Sequence, residues 1–520
     1  MGGYLLVCCW IQAMDALLYD ERKPPPPTFD FSRRSISLRA LTHQKLKENE
    51  DMDQYLAAWM DRVIRQARER QLSGRATVPR SDGKLKLLFA GYNGTRNTGS
   101  DVRVEEILRQ VRHLFGEDRV ELTVFSFIKE YSKHYFGNAR QVTPGFLFPD
   151  YLNREVPRHH GVIACEGSTF KSAFTDLLTV MMVGAMGLAN ACDRMSVAYG
   201  AEAGHMNPWP RRLASEHCKD SLVITRNKES SRVLADLEIS SVTGTDTAWT
   251  FSPLGKEYAQ QELRKFGWKG ERVLMVCPIN PYCWPVTASL TKTAGRLFGF
   301  YRDSHYGRIF FFHNSQESRL KFDRYLSAIA AAVNRFRQKT KVFVVVAASE
   351  EIDNRAVNLL AEKLGGAPTF SSTNYNMYQL VSIFRAADLM LSSRYHAIVT
   401  SMPGRVASAG ISFDERIANL MRERGHEHLL MRVDDPDLES RIDVSLDELN
   451  RNSPQIVEES IQTVTRNLHI MSGMGQKLVE YVANNHPRFL PQRQLHSWED
   501  YLPPMGPELH QLLEQYSYAA

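Results

Sequence analysis

From Lys84 onward the chain alternates short apolar runs with longer amphipathic stretches. KLKLLFAGYNG reads as a buried strand entering a glycine-bearing loop, followed by a helix from about Val102 to Phe115. RVELTVFSF is a second strand ending near Phe127, and GVIACEG is a third apolar run closed by a turn. The segment from Ser172 to Ala191, rich in Met, Ala and Gly, reads as a buried helix, and MSVAYGAEAG, SLVITRN and SSVTGTD follow as short strands. After a helical stretch from Leu254 to Phe266 the pattern repeats with RVLMVCPIN, RIFFFHNS, KVFVVVAAS, DLMLSS and RVASAGIS, and helices near 318–336, 352–364 and 376–386. Continuously apolar strands alternating with helices predict parallel α/β sheets buried on both faces. Two such sets predict two Rossmann-like domains facing one another across a cleft.

The flanks read differently. Tyr55, Leu56, Trp59, Met60, Val63 and Ile64 recur at three- and four-residue steps and predict an amphipathic helix from Asn49 to about Leu72, packed on the body of the protein. Pro24 to Pro27 mark an extended linker. The apolar start has no basic leader and is interrupted by Gln12 and Asp15, so it reads as a docking segment or early helix. The tail is helical from about Ser445 to Ala483 and is expected to return and brace the first domain. The division is therefore an extension at 1–80, domains at 81–252 and 253–440, and a helical tail at 441–520.

Size and composition narrow the class. At 520 residues the chain exceeds what one core supports. Seven cysteines without a Cys-x-x-Cys pair exclude a disulfide scaffold and argue against structural zinc. They fit a reducing compartment, so a cytoplasmic location is expected. Lys and Arg (64) exceed Asp and Glu (59) by 5, which suits an anionic small substrate or an anionic membrane face and is too little for nucleic acid.

Candidate chemistry lies in the loops after the strands, where open α/β sheets bind ligands. In DLMLSSRYHAIVTSM, Arg394 and His396 fall between a strand end and a helix start, where unpaired N–H groups and the helix dipole favour an anion. Equally, Arg394 reads as an ion-pair residue and His396 as a helix cap. Asp414 and Arg416 stand at the next helix start, a position that also suits a simple dipole complement. In GYNGTRNTGSD, glycines such as Gly94 between a strand and a helix let a ligand or the partner domain approach the backbone closely; equally, the loop reads as a tight turn with Asn97 as a capping residue. Arg226 and Asp246 stand at two further strand ends, and ACEGSTFKS is a similar turn bearing Glu166, Ser168 and Lys171.

In order, these loops resemble the polysaccharide pyruvyl transferase family, whose members have a two-domain GT-B-like fold. Gly91, Tyr92, Gly94, Asn97 and Gly99 match its first loop, with Ser100 and Asp101 at its acidic pair. Arg226 and Ser230 match a second element, Ser392, Arg394, His396 and Ala397 a third without a gap, and Phe413, Asp414, Arg416 and Ile417 a fourth. The resemblance spans about residues 84–425. In the family an arginine often follows the strand that corresponds to RVLMVCPIN; here the loop PYCWPVTAS has none, and Arg296 comes later.

The resemblance implies a transferase of polysaccharide biosynthesis that moves the pyruvyl group of phosphoenolpyruvate onto two hydroxyls of a saccharide or lipid-linked saccharide as a ketal, with no metal and no further cofactor. Arg394 and Arg416 would hold the donor's anions, helped by Gly94, Asn97, Arg226 and Asp246, with His396 as general acid and Asp414 or Asp246 as base. Trp284, Trp249 and Tyr282 are candidates to stack on sugar. A lipid-linked acceptor would bring peripheral association with the inner membrane face. Two alternatives stand beside this: a nucleotide-sugar glycosyltransferase using Glu415 and Glu423, and a non-catalytic scaffold.

Overall fold

The computed structural model describes residues 50–75, 77, 79, 82–297, 299 and 304–516. The apolar start and the run Pro24 to Pro27 lie outside these. Among the described residues no helix is long and apolar enough to cross a membrane.

Seven strands, β1 (Leu85–Ala90), β2 (Val120–Phe125), β3 (Arg140–Val142), β4 (Gly161–Ala164), β5 (Met195–Ala201), β6 (Leu222–Thr225) and β7 (Ser241–Thr243), pair in parallel in the order β3-β2-β1-β4-β5-β6-β7. The second half contributes β8 (Arg272–Cys277), β9 (Thr287–Ala288), β10 (Phe310–Phe311), β11 (Val342–Ala348), β12 (Thr369–Ser371), β13 (Leu389–Ser392), β14 (Ala407–Ser412) and β15 (Leu430–Arg432). Six of them form a second parallel sheet, β12-β11-β8-β13-β14-β15. Every residue of β1, β4, β13 and β14 is buried, as apolar runs covered on both faces require. This is the expected pair of Rossmann-like sheets of the GT-B type. Strand order reverses between β1 and β4 in one and between β8 and β13 in the other, and ligands settle in the crevice at such points.

One strand departs from expectation. RIFFFHNS does not join the second sheet: only Phe310–Phe311 is extended, and it pairs with β9 in an antiparallel ribbon. Both edges of β8 are already taken, by β11 and β13. The apolar residues Ile309 and Phe310 instead pack on the core of the first sheet. The three-residue strands β3, β12 and β15, each at a sheet edge, are too short to show as patterns.

The helix Glu50–Leu72 packs on the helix Asp176–Ala191. Two glycines make that approach: a Cβ on Gly184 would stand 2.5 Å from Met60 Cγ, and one on Gly187 would stand 3.1 Å from Ile64 Cδ1. The tail forms the helix Leu438–Asn485, broken at Asn452 just before Pro454. Ile442, Leu446 and Leu449 pack with the second sheet, after which Leu468, Met471 and Met474 join the core that contains β5. Ser196 N donates to Tyr481 Oη at 3.3 Å, and farther on Gln110 Nε2 donates to Tyr501 O at 2.7 Å. The tail thus returns to the first sheet.

Gly184→Leu is expected to force the helix Glu50–Leu72 outward and to cost about 1–3 kcal/mol, as overpacking of a tight contact does. Urea unfolding should show a lowered midpoint; an unchanged midpoint would mean that the helix is not held by this contact.

Candidate functional site

A cavity of about 170 Å3 lies where the two sheets' reversal points face one another. The loop after β1 supplies Tyr92 and Asn97, the loop after β4 supplies Glu166 and Ser168, and Trp284, Glu350, Arg394 and Arg416 come from the loops after β8, β11, β13 and β14. Phe146, Leu177, Leu178, Met181, Ile309 and Phe310 make an apolar side, with Arg308 at its margin.

Arg394 occupies the N-cap position of the helix Tyr395–Ser401, the place expected of His396 from the sequence, and its side chain is engaged by two buried carboxylates. Its Nε donates to Asp353 Oδ2 at 2.8 Å, its Nη2 also bonds Asp353, and Nη2 stands 3.1 Å from Glu350 Oε2. Burial disfavours the charge on Arg394, but Asp353 and Glu350 outweigh it and hold the guanidinium protonated. Glu350 also accepts from Tyr306 Oη at 2.8 Å, Tyr92 Oη at 3.2 Å and Asn97 Nδ2 at 3.0 Å. Asn97 therefore works in two directions: its Oδ1 caps the helix Thr98–Phe115 by accepting from Ser100 N at 3.2 Å, while its amide nitrogen crosses to the second sheet's loop. Gly94 is a turn residue with φ of 71°, and a Cβ there would meet Ser126 Oγ at 2.1 Å. It does not line the cavity.

Behind the wall lies a second cluster. Asp246, fully buried, accepts from Arg226 Nη1 at 3.1 Å, stands 3.3 Å from Arg103 Nε and 3.3 Å from His396 Nε2. Burial raises the Asp246 carboxyl, but Arg103, His396 and Arg226 together hold it well below the usual range. Arg226 also donates to Glu202 Oε2 at 2.5 Å and lies 4.6 Å above the Tyr395 ring. The opposite face of His396 presses on Gly99, where a Cβ would come within 2.1 Å of Nδ1. Burial pushes the His396 imidazole below its ordinary value, and Asp246 restores only part of the loss.

Asp414 caps the helix Glu415–Glu423, accepts from Arg416 N at 3.1 Å and Arg416 Nε at 2.7 Å, and stands 3.4 Å from Lys171 Nζ. Burial raises its carboxyl, but those cations outweigh burial and lower it. Glu415 and Glu423 stand at opposite ends of that helix, Glu415 paired with Lys171 at 2.7 Å and Glu423 accepting from Asn467 at 2.6 Å. Of the aromatic candidates, Trp284 lines the cavity; Trp249 is buried with its Nε1 on Thr245, and Tyr282 bonds Val433 O. Arg296 bonds Ser304 Oγ.

The model of the family described as polysaccharide pyruvyl transferase matches residues 177–414, which hold Arg226, Asp246, Arg394, His396 and Asp414. The match covers somewhat under half of the chain. None of the curated proteins matches the chain. Among solved structures, a protein of Listeria monocytogenes described as a UDP-N-acetylglucosamine 2-epimerase aligns at 11% identity and a TM-score of 0.48, covering 76% of this chain and 97% of that one. A UDP-GlcNAc 2-epimerase from Neisseria meningitidis bound to UDP-GlcNAc aligns at 11% identity and 0.44, covering 72% and 94%. Likeness at this level carries no argument about substrate.

The expectation of a transferase stands. Two further cavity residues, Glu166 and Arg308, receive no role from the sequence. Glu166 receives the Ser100 hydroxyl and lies 4.0 Å from Arg103 Nη1, linking the cavity to the buried cluster. Its turn stood out in the sequence, but nothing there singled out the carboxylate. Arg308 gave no local signal, because it reaches the cleft through a ribbon that the apolar pattern disguised as a sheet strand.

Asp101 accepts from Gly94 N at 2.7 Å, and its Oδ2 is buried without a partner. Burial raises its pKa from 3.8 to about 7. The unfolded chain releases that proton first, so this group removes stability as pH rises from about 4 to 7, by at most about 1.4 kcal/mol per pH unit. Asp101→Asn should flatten that part of the pH–stability curve, measured as urea midpoints between pH 5 and 8; parallel curves for the two proteins would exclude the assignment.

Proposed function

We propose that the cleft transfers the pyruvyl group of phosphoenolpyruvate to a pair of saccharide hydroxyls, forming a ketal and releasing phosphate. The observation that carries this is the junction of His396, delivered by the second sheet, with Asp246 and Arg226 of the first, directly behind a cavity wall that holds Arg394 and Arg416.

The chemistry assigns roles as follows. His396, whose side chain keeps 13% of its surface exposed behind that wall, gives its proton as imidazolium to the methylene carbon of a donor that reaches past Arg394 and Arg416, leaving an oxocarbenium-like centre at the neighbouring carbon. One sugar hydroxyl attacks that carbon and loses its proton to a base, which later returns it to His396 through solvent; the second hydroxyl then displaces phosphate, which carries off that hydroxyl's proton, and the ketal closes. Asp246 favours the imidazolium and fixes which ring nitrogen it faces. Asp246 and Asp414 are each surrounded by cations that depress their basicity, so Glu166, which lines the cavity, is the better base. Arg416 and Arg394 meet the donor's carboxylate and phosphate, Arg394 by sharing itself with Glu350 and Asp353.

His396→Ala is expected to lower transfer from phosphoenolpyruvate by about 10²–10⁴-fold, the usual worth of a positioned general acid. Thermal denaturation with phosphoenolpyruvate, beside UDP-glucose, reports binding separately, since a ligand of the folded state raises the midpoint. Undiminished transfer by the alanine variant would refute the mechanism, and a shift with UDP-glucose alone would refute the donor. A second expectation concerns pH. Because Asp246 raises the His396 pKa, Asp246→Asn should move the pH profile of kcat/KM to lower pH; an unmoved profile would take the proton transfer away from His396.

A further inference from the structure

Phosphoenolpyruvate is small and polar, and the apolar side of the cavity gives it no matching contact. The side formed by Phe146, Leu177, Leu178, Met181 and Phe310 offers no polar group to a phosphate or a sugar ring. That side is one part of a cavity of about 170 Å3, so it has room for a group no larger than about a benzene ring. At its margin stands Arg308. Its guanidinium carbon lies 5.3 Å above the Phe127 ring, and it donates a hydrogen bond to Phe127 O. Arg394 is matched by two carboxylates and Arg416 by one. Arg308, among the described residues, pairs with no carboxylate. Burial disfavours its charge, and the groups that favour it, Tyr92 and Tyr306, are neutral phenols pushed well above their ordinary pKa. A half-buried guanidinium with one carbonyl partner keeps most of its five N–H donors available to an anion.

We infer that the apolar side of the cleft is a subsite for an amphipathic anion: an aryl or short alkyl group in the chamber, joined to a phosphate or carboxylate held by Arg308. On the reading of the cleft as a substrate site, this subsite defines the acceptor as a saccharide that carries such a group. The inference uses the cavity's chemistry and does not depend on pyruvyl transfer.

The test is calorimetric titration of the full chain with ethyl, butyl, hexyl and decyl phosphate, beside inorganic phosphate and hexanoate. Affinity should rise about fourfold per methylene, the worth of a buried CH₂, and level off between hexyl and decyl as the chamber fills. Arg308→Gln, which keeps a planar polar group over Phe127, should weaken hexyl phosphate about tenfold or more with an unchanged unfolding midpoint. Leu178→Trp should flatten the chain-length series and leave inorganic phosphate binding unchanged. Hexanoate binding like hexyl phosphate makes the requirement one of charge, whereas weaker hexanoate binding makes it phosphate; both support the subsite. A series flat from ethyl to decyl, or an Arg308→Gln variant that binds hexyl phosphate as the parent does, overturns it. If the series holds while phosphoenolpyruvate is neither bound nor consumed, only the pyruvyl reading falls. If transfer proceeds and the series is flat, only the subsite falls.

Discussion

A carboxylate with no access to water organises this molecule. Asp246 is tolerable in the interior only because Arg103, Arg226 and His396 surround it, and each of the three belongs to a different element. Arg103 comes from the helix that follows the first-sheet loop Gly91–Asn97, Arg226 from the end of β6, and His396 from the helix behind β13. Buried ion pairs add little net stability over an apolar core, but losing one partner strands the rest at about 3–5 kcal/mol. The requirement is therefore geometric. Satisfying Asp246 fixes the place of the second sheet's helix against the first.

A parallel arrangement holds the front of the cleft. Glu350 collects Tyr92 and Asn97 from one sheet and Tyr306 and Arg394 from the other half, and Thr98 N donates to Ser349 O beside it. Positive and negative groups are closely matched across both clusters. Such a cleft attracts an anion weakly from a distance and recognises it at close range, where individual donors face it. That places the burden of donor binding on local hydrogen-bond geometry rather than on a broad field.

Much of the architecture was legible because strands covered on both faces leave continuous apolar runs bounded by turn residues. LKLLFA, VFVVVAA and ASAGIS each became a central strand. The loops were legible for a related reason: strand ends in parallel sheets are where backbone groups and polar side chains converge, so Arg226, Asp246, Arg394 and His396 came together from across the chain. What sequence spacing could not show is partnership. Arg394 reads equally as an anion site and as an ion-pair residue, and only the fold shows that Glu350 and Asp353, both more than forty residues earlier, hold it. Asp414 reads as a base until Lys171, from the other sheet, arrives beside it. The ribbon that carries Arg308 failed for a third reason. Its apolar residues satisfy the core of the opposite sheet, and no local period records which core a run of Ile and Phe will enter.

The helix Leu438–Asn485 has a consequence for how the molecule comes apart. At 1.5 Å per residue, its 48 residues trace about 70 Å through the break at Asn452, enough to pass along both sheets. Leu446 and Leu449 are buried with the second sheet, and Leu468 and Met471 in the core that includes the first. Neither half can melt and leave this helix's apolar face covered. Two domains of this size would ordinarily unfold one after the other. Here the shared helix couples them, so the expected behaviour is a single cooperative transition with the denaturant sensitivity of the whole surface, and neither half expressed alone would keep its core dry.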